Sequence, residues 1–137
     1  MIAITAPLLV LQLSTTGSGI STIARDQMSG VDRPRQAVAR LDADWRALWR
    51  DHAGDTPLPA VDLASRMVVA VFLGSRSSGG YAVEITGARK DGAALVIEWR
   101  ETRPAADAIA AQVITSPAHL ASIPRFDGPV RFERVAP

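Results

Sequence analysis

The stretch GSRSSGGY, Gly74 to Tyr81, gathers glycines, small hydroxyls, an arginine and the only tyrosine of the chain. This is the composition with which a backbone loop can cradle a phosphate. Such a loop works when it runs into a helix N-terminus, where unpaired N–H groups and the helix dipole face the anion. Here the flanking residues read as strand on both sides, and the Gly-Lys-Ser/Thr ending is missing. The stretch is therefore expected to close two strands as a hairpin connection between Leu73 and Tyr81. Gly79 and Gly80 would supply positive φ, and the serines would bond local backbone. A loop this rich in small residues also lets a partner's backbone approach closely, and binding is commonly mounted on such loops. Composition leaves both uses open.

The remaining reactive side chains form no catalytic pattern. His52 and His119 have no second histidine or carboxylate at metal-ligand spacing, so each reads as structural, His52 near a helix C-terminus and His119 in a strand-like segment after Pro117. Ser18, Ser29 and Ser78 adjoin glycines, but none lies in G-x-S-x-G between a strand and a helix. Glu84 and Glu98 fall on the polar sides of two strands, with Arg76, Lys90 and Arg100 at hand, which favours ion pairs over an acid pair for glycosidic chemistry. With no cysteine, disulfides, thiolate metal sites and a cysteine nucleophile are excluded, while the redox compartment stays open. The chain reads as non-enzymatic, with no catalytic residue, metal or cofactor assigned.

Length and charge set the frame. At 137 residues the chain suits one core. Its 15 Lys and Arg against 14 Asp and Glu leave a net charge of +1, so no overall field draws it to nucleic acid. Residues 1–21 are an apolar lead segment: apolar to Leu13, then small and polar, they outline an export signal, cleavable or degraded. They lack an early Lys or Arg, carry Pro7 in the apolar run and show no clean small-x-small site, so a first strand over Leu8 to Leu13 is an equal reading. No later stretch approaches a membrane span. Residues 22–137 read as one domain, with the periplasm or secretion favoured over the cytoplasm.

Several elements must position the loop. Around Ser29-Gly30 and Pro34 a bend is expected to close a hairpin into a strand near Arg35 to Leu41. In LDADWRALWRDHAG, Asp42 suits an N-cap, Trp45, Leu48, Trp49 and His52 share one helical stripe, and Gly54 supplies the stop. Two tryptophans on a short helix predict burial against a sheet. After the Pro-bearing connector DTPLPAVDLASR, the unbroken apolar run Met67 to Gly74 predicts a central strand buried on both faces. A hairpin follows, turning at Asp91-Gly92, with Tyr81, Val83 and Ile85 on one face and Leu95, Ile97 and Trp99 opposite. IAAQVITSPAHLASIP predicts a strand, a kink at Pro117 and a strand again. PVRFERV predicts a strand with Val130 and Phe132 inward. The fold class is α+β: a mostly antiparallel, strongly curved sheet or half-barrel with one packed amphipathic helix.

Taken together, SGV at Ser29, RQAV at Arg35, DWRALWRDH at Asp44, VDLASRMVVAVFLGSRSSGGY at Val61, ITSPAHLASIP at Ile114 and the closing VRFERV resemble the PrcB-like family, named after the C-terminal part of an accessory subunit of a bacterial surface protease complex. The likeness covers the chain from Thr22 onward. It implies a small bacterial protein, often exported, that binds and stabilises a protein partner, a protease or another envelope protein, without catalysis of its own. The positions matching the family's most recognisable loop are Gly74, Arg76, Ser78, Gly79, Gly80 and Tyr81, with Pro117 and Pro124 in the later strand. Ser78 stands where threonine is common. A second reading is a protease inhibitor, since the loop alone also looks like the inserting loop of chagasin-type inhibitors of cysteine proteases. A third is a small-molecule binder or hydrolase with a pocket between helix and sheet lined by Trp45, Trp49 and Trp99.

Overall fold

The computed structural model describes residues 19–137. The export-signal and first-strand readings of the opening residues fall on 1–18, outside the described residues. In chain order the elements are β1 (Ser21–Asp26), β2 (Arg35–Ala39), α1 (Asp42–Ala53), β3 (Arg66–Phe72), β4 (Ala82–Asp91), β5 (Ala94–Thr102), β6 (Ala118–Pro124) and β7 (Val130–Arg134). The fold is α+β and mostly antiparallel. Its strands divide between two sheets, β1-β6-β3-β2 and β4-β5-β7, in place of one curved sheet. Among the described strands every ladder is antiparallel except β5 with β7.

The apolar run at the start of β3 explains the layering. Met67, Val69, Val71 and Leu73 point into a core shared with Val83, Ile85, Leu95, Ile97 and Ile123, between the sheets. Val68, Ala70 and Phe72 point the other way, against Trp45, Leu48 and Trp49 of α1. With a side-chain period of two, a strand loaded on both sides needs a partner layer on each. The result is helix, four-stranded sheet and three-stranded sheet, with β3 in the middle. Val130 and Phe132 of β7 pack against the inter-sheet core, as the alternation predicts.

The helix is held by its tryptophans. Trp45, Leu48, Trp49 and His52 are its buried residues, and the two indoles sit 5.6 Å apart in a tilted pair. Trp45 Nε1 donates to the Pro59 carbonyl at 3.1 Å and Trp49 Nε1 to that of Thr56 at 2.9 Å, so the connector after the helix is strapped over it. Gly54 ends the helix at φ 59°, its N–H on the Arg50 carbonyl. Asp42 is not the N-cap. That place belongs to Leu41, at φ −110° and ψ 150° with no side-chain cap bond, while Asp42 is the first helical residue and pairs with Arg46 at 2.6 Å. Leu41 is 61% exposed. Leu41→Ser is therefore expected to stabilise the protein by about 1 kcal/mol, by giving an orphan first-turn N–H an acceptor. A rise in urea midpoint with an unchanged m-value checks it.

Two further expectations change. The bend at Ser29 to Pro34 closes no hairpin, because β1 and β2 lie at opposite edges of their sheet. Of the strand–kink–strand expected over 109–124, only β6 forms; its approach makes isolated bridges, Met28 with Ser116 and Arg76 with Thr115. The Asp91-Gly92 hairpin forms as expected, Gly92 at φ 61°, with a bulge between Ile85 and Gly87. Among the described residues no helix is long and apolar enough to cross a membrane.

Candidate functional site

The Gly74 to Tyr81 stretch joins β3 to β4, but these strands lie in different sheets, so it is a crossing between layers and not a hairpin turn. A hairpin loop is fixed by the ladder it closes; this loop is fixed by its neighbours. Ser75 N–H donates to the Asp32 carbonyl at 3.0 Å and Gly79 N–H to that of Ala111 at 2.9 Å. Arg76 and Thr115 exchange backbone bonds at 2.7 and 2.9 Å, and Thr115 Oγ1 donates to the Ser78 carbonyl at 2.9 Å.

The glycines serve this docking. Gly74 is buried at φ 80°, where a Cβ would lie 2.7 Å from the Pro34 nitrogen. Gly80 has φ 88°, and its Cβ would meet Pro104 Cβ at 2.8 Å. Gly79 is buried beside Ala111. Gly80→Ala is expected to cost about 1–2 kcal/mol, because an L side chain is strained at positive φ; chemical denaturation reads the loss. The residues that face outward are Ser75, Ser77 and Gly80, with Arg76, Ser78 and Tyr81 half-buried. The Arg76 guanidinium lies 5.8 Å from the centre of the Tyr81 ring.

Beside the loop runs a segment that sequence reading had assigned to a strand. It carries Ile109, Val113 and Ile114, exposed at 103%, 46% and 68%. The hydrogen bond from Gly79 to Ala111 and the Arg76–Thr115 bridge hold the backbone of this segment against the loop. Pro117 and Pro124 sit at the two ends of β6, the Pro117 carbonyl accepting the Leu73 N–H at 3.0 Å.

Behind the loop lies a cleft of about 480 Å³ between the two sheets, walled by Pro34 to Gln36, Val71 to Leu73, Arg76, Trp99, Glu101 and Arg134. Glu101 is 2% exposed. Arg76 Nε donates to its Oε2 at 2.9 Å, Arg134 Nη2 stands 3.3 Å from Oε1, and Arg103 Nε is 4.0 Å from Oε2. The hydrogen bond from Arg76, then the arginine charges, hold this carboxyl below the usual carboxylate range against the opposing effect of burial. Glu101 and Arg134 were not anticipated. The signal for Glu101 was its place in the alternation, since Leu95, Ile97, Trp99 and Glu101 share one parity and the first two face the core.

The other sequence candidates resolve into structural roles. His52 bonds Asp26 Oδ2 through Nε2 and Ser29 Oγ through Nδ1, both at 2.8 Å. That is the residue set of a Ser-His-Asp relay, but Ser29 is only 8% exposed and its Oγ accepts the Val31 N–H at 3.1 Å. A Cβ on neighbouring Gly30 would lie 2.4 Å from the Asp51 carbonyl, so this turn is pressed onto the helix end and leaves no room for a substrate. His119 spans the sheets, Nδ1 accepting the Ile85 N–H at 2.8 Å. Glu84 pairs with Arg100 at 2.7 Å and Glu98 with Arg89 at 3.1 Å, so these carboxylates form two ion pairs and no acid dyad. Trp99 lies across β3 from Trp45 and Trp49, and the helix–sheet layer where the third reading put its pocket is filled with side chains. Among the described residues no group of three or more His, Asp or Glu could hold a metal.

Residues 67–124 match the family model described as PrcB C-terminal. Over these residues the chain is similar to the PrcB C-terminal family. The PrcB C-terminal match runs from the start of the central strand, through the loop and the β4–β5 hairpin, to the end of β6. It thus contains the loop, the exposed 109–114 segment and Glu101. No curated protein and no solved structure matches the chain.

Proposed function

We propose that the protein is a non-enzymatic binding module, an accessory or stabilising factor of a bacterial protease or envelope complex. The observation that carries this reading is the surface made by the loop and the segment bonded to it: Ile109, Val113 and Ile114 stand exposed on the segment whose Ala111 and Thr115 bond Gly79 and Arg76, and Ser75, Ser77 and Gly80 are the exposed loop residues. Three large apolar side chains left exposed within six residues are the kind of surface that marks a contact site. Backbone tethers at Asp32, Ala111 and Thr115 pre-order this surface, which lowers the entropy lost on docking. The match to the PrcB C-terminal family supports a partner associated with a protease complex.

A double substitution, Ile109→Asp with Ile114→Asp, tests the reading. Both side chains are exposed, so the fold is expected to persist, with an unchanged circular dichroism spectrum and urea midpoint. Co-purification of the partner from the native host is expected to drop at least tenfold. Full retention of every partner by the folded variant would overturn the assignment. Inhibition assays against a panel of proteases separate this reading from the inhibitor alternative: the module is expected to leave their turnover unchanged.

A further inference from the structure

The cleft behind the loop is built to receive negative charge. Three guanidiniums, of Arg76, Arg103 and Arg134, surround the one carboxylate of Glu101. A single carboxylate cannot neutralise three guanidiniums, each with five N–H donors. Among the described residues the Arg134 guanidinium has this shared carboxylate as its ion-pair partner and lies over the face of the Trp99 ring, 5.7 Å from its centre. Trp99, another wall of the same cleft, has its Nε1–H buried without an acceptor. An indole N–H can only donate, and buried donors are nearly always paired. The Trp99 Nε1–H is itself out of reach of the cleft, and Arg76 Nη1 already donates to the Leu73 and Ser75 carbonyls at 3.1 Å, so what the cleft offers is surplus positive charge, with Arg134 the least paired of its guanidiniums. Its volume of about 480 Å³ is well beyond what one carboxylate fills and suits several side chains of an extended segment.

We infer that this cleft binds an acidic segment of the partner protein, with its Asp or Glu side chains held by Arg134 and Arg76 beside Trp99. The inference rests on the binding-module reading and names the chemistry of what is bound. Because Arg76 belongs both to the loop and to the cleft wall, an acidic segment seated there would lie against the docking surface. Glu101 acts as the counter-charge that keeps the guanidiniums together when the cleft is empty, and the partner's carboxylates would complete their pairing.

The test uses the full chain and synthetic hexapeptides rich in Asp and Glu, with both ends capped, titrated by calorimetry at low salt. A capped peptide with Asn and Gln at the same positions, and the neutral peptide with a free C-terminal carboxylate, are the comparison arms. The capped acidic peptide is expected to bind at least tenfold more tightly than either, and to weaken with rising salt. Arg134→Gln, at a position whose side chain is 48% exposed, is expected to fold normally and to weaken the acidic peptide about tenfold. Equal affinity for the acidic and amide peptides, tighter binding of the free C-terminus, or an Arg134→Gln variant that folds and binds like the original protein would each overturn the proposal. If the peptides fail while the Ile109/Ile114 variant still loses its partner, the acidic-segment inference falls and the docking reading stands; if that variant also keeps its partner, both fall.

Discussion

Trp45→Ala is expected to destabilise the protein by about 3–5 kcal/mol, a large share of the stability of a domain this size. Trp45 is 1% exposed, in the layer that β3 shares with α1, and its indole abuts Trp49. Truncation removes the most fully buried tryptophan of that layer and leaves a cavity the sheet cannot collapse into, since Val68, Ala70 and Phe72 are fixed by pairing on both sides of β3. It also leaves the Pro59 carbonyl without its donor. Trp45→Phe separates the two effects, keeping most of the packing while losing the N–H and part of the ring. Urea unfolding is expected to place the phenylalanine variant well above the alanine variant. Equal losses in both would mean that the strap over the helix, and not the packing, carries the energy.

Acidification is expected to remove about 3 kcal/mol between pH 6.5 and 4 through His119. Its Nδ1 accepts the Ile85 N–H, so the ring proton sits on Nε2 and meets Thr22 Oγ1 at 2.9 Å; the neutral ring satisfies both bonds. Burial foremost, then the charge of Arg25, lowers its pKa to about 4, with Glu84 opposing. Unfolded, the same ring titrates near 6.5. Between these values the unfolded chain takes up a proton that the folded chain refuses, so stability falls as pH falls. The contribution is fully present above pH 6.5 and is exhausted below 4. A gap of about 2.5 pH units at roughly 1.4 kcal/mol each gives a limiting value of about 3.5 kcal/mol, of which about 3 falls within this window. Unfolding of the protein and of His119→Gln at pH 7 and 4.5 checks it: the parent loses more stability than the variant over this span. Parallel pH profiles would rule out His119 as the source.

Much of the layering was legible because single segments carry it. An apolar run with both parities filled can only be an inner strand, and the stripe of Trp45, Leu48, Trp49 and His52 can only face a sheet. The hairpin at Asp91-Gly92 was equally local. What escaped depends on pairing over distance. The residues of Gly74 to Tyr81 serve a hairpin tip and a crossing between sheets equally well, because the local requirement, positive φ at Gly74 and Gly80, is common to both. Which of these applies is decided by β6 and β2, which occupy the two sides of β3 and leave β4 to the other sheet. The parallel pairing of β7 with β5 carries no local mark either. Within the site, Arg76 read as a solvated partner for Glu84 or Glu98 and instead meets Glu101, 25 residues away and paired with neither. Of the loop residues, Gly74 and Gly79 turned out to be buried packing positions, leaving Arg76, Ser78, Gly80 and Tyr81 to reach the surface.

The most direct test of the docking surface is site-specific photo-crosslinking in the native host, with the reactive residue placed in turn at Ser77, at Ile109 and, on the far side of the helix, at Arg46. The expected result is a covalent adduct with the same protein from Ser77 and Ile109 and none from Arg46. Adducts from Arg46 alone, or from none of the three, would contradict the assignment of this surface.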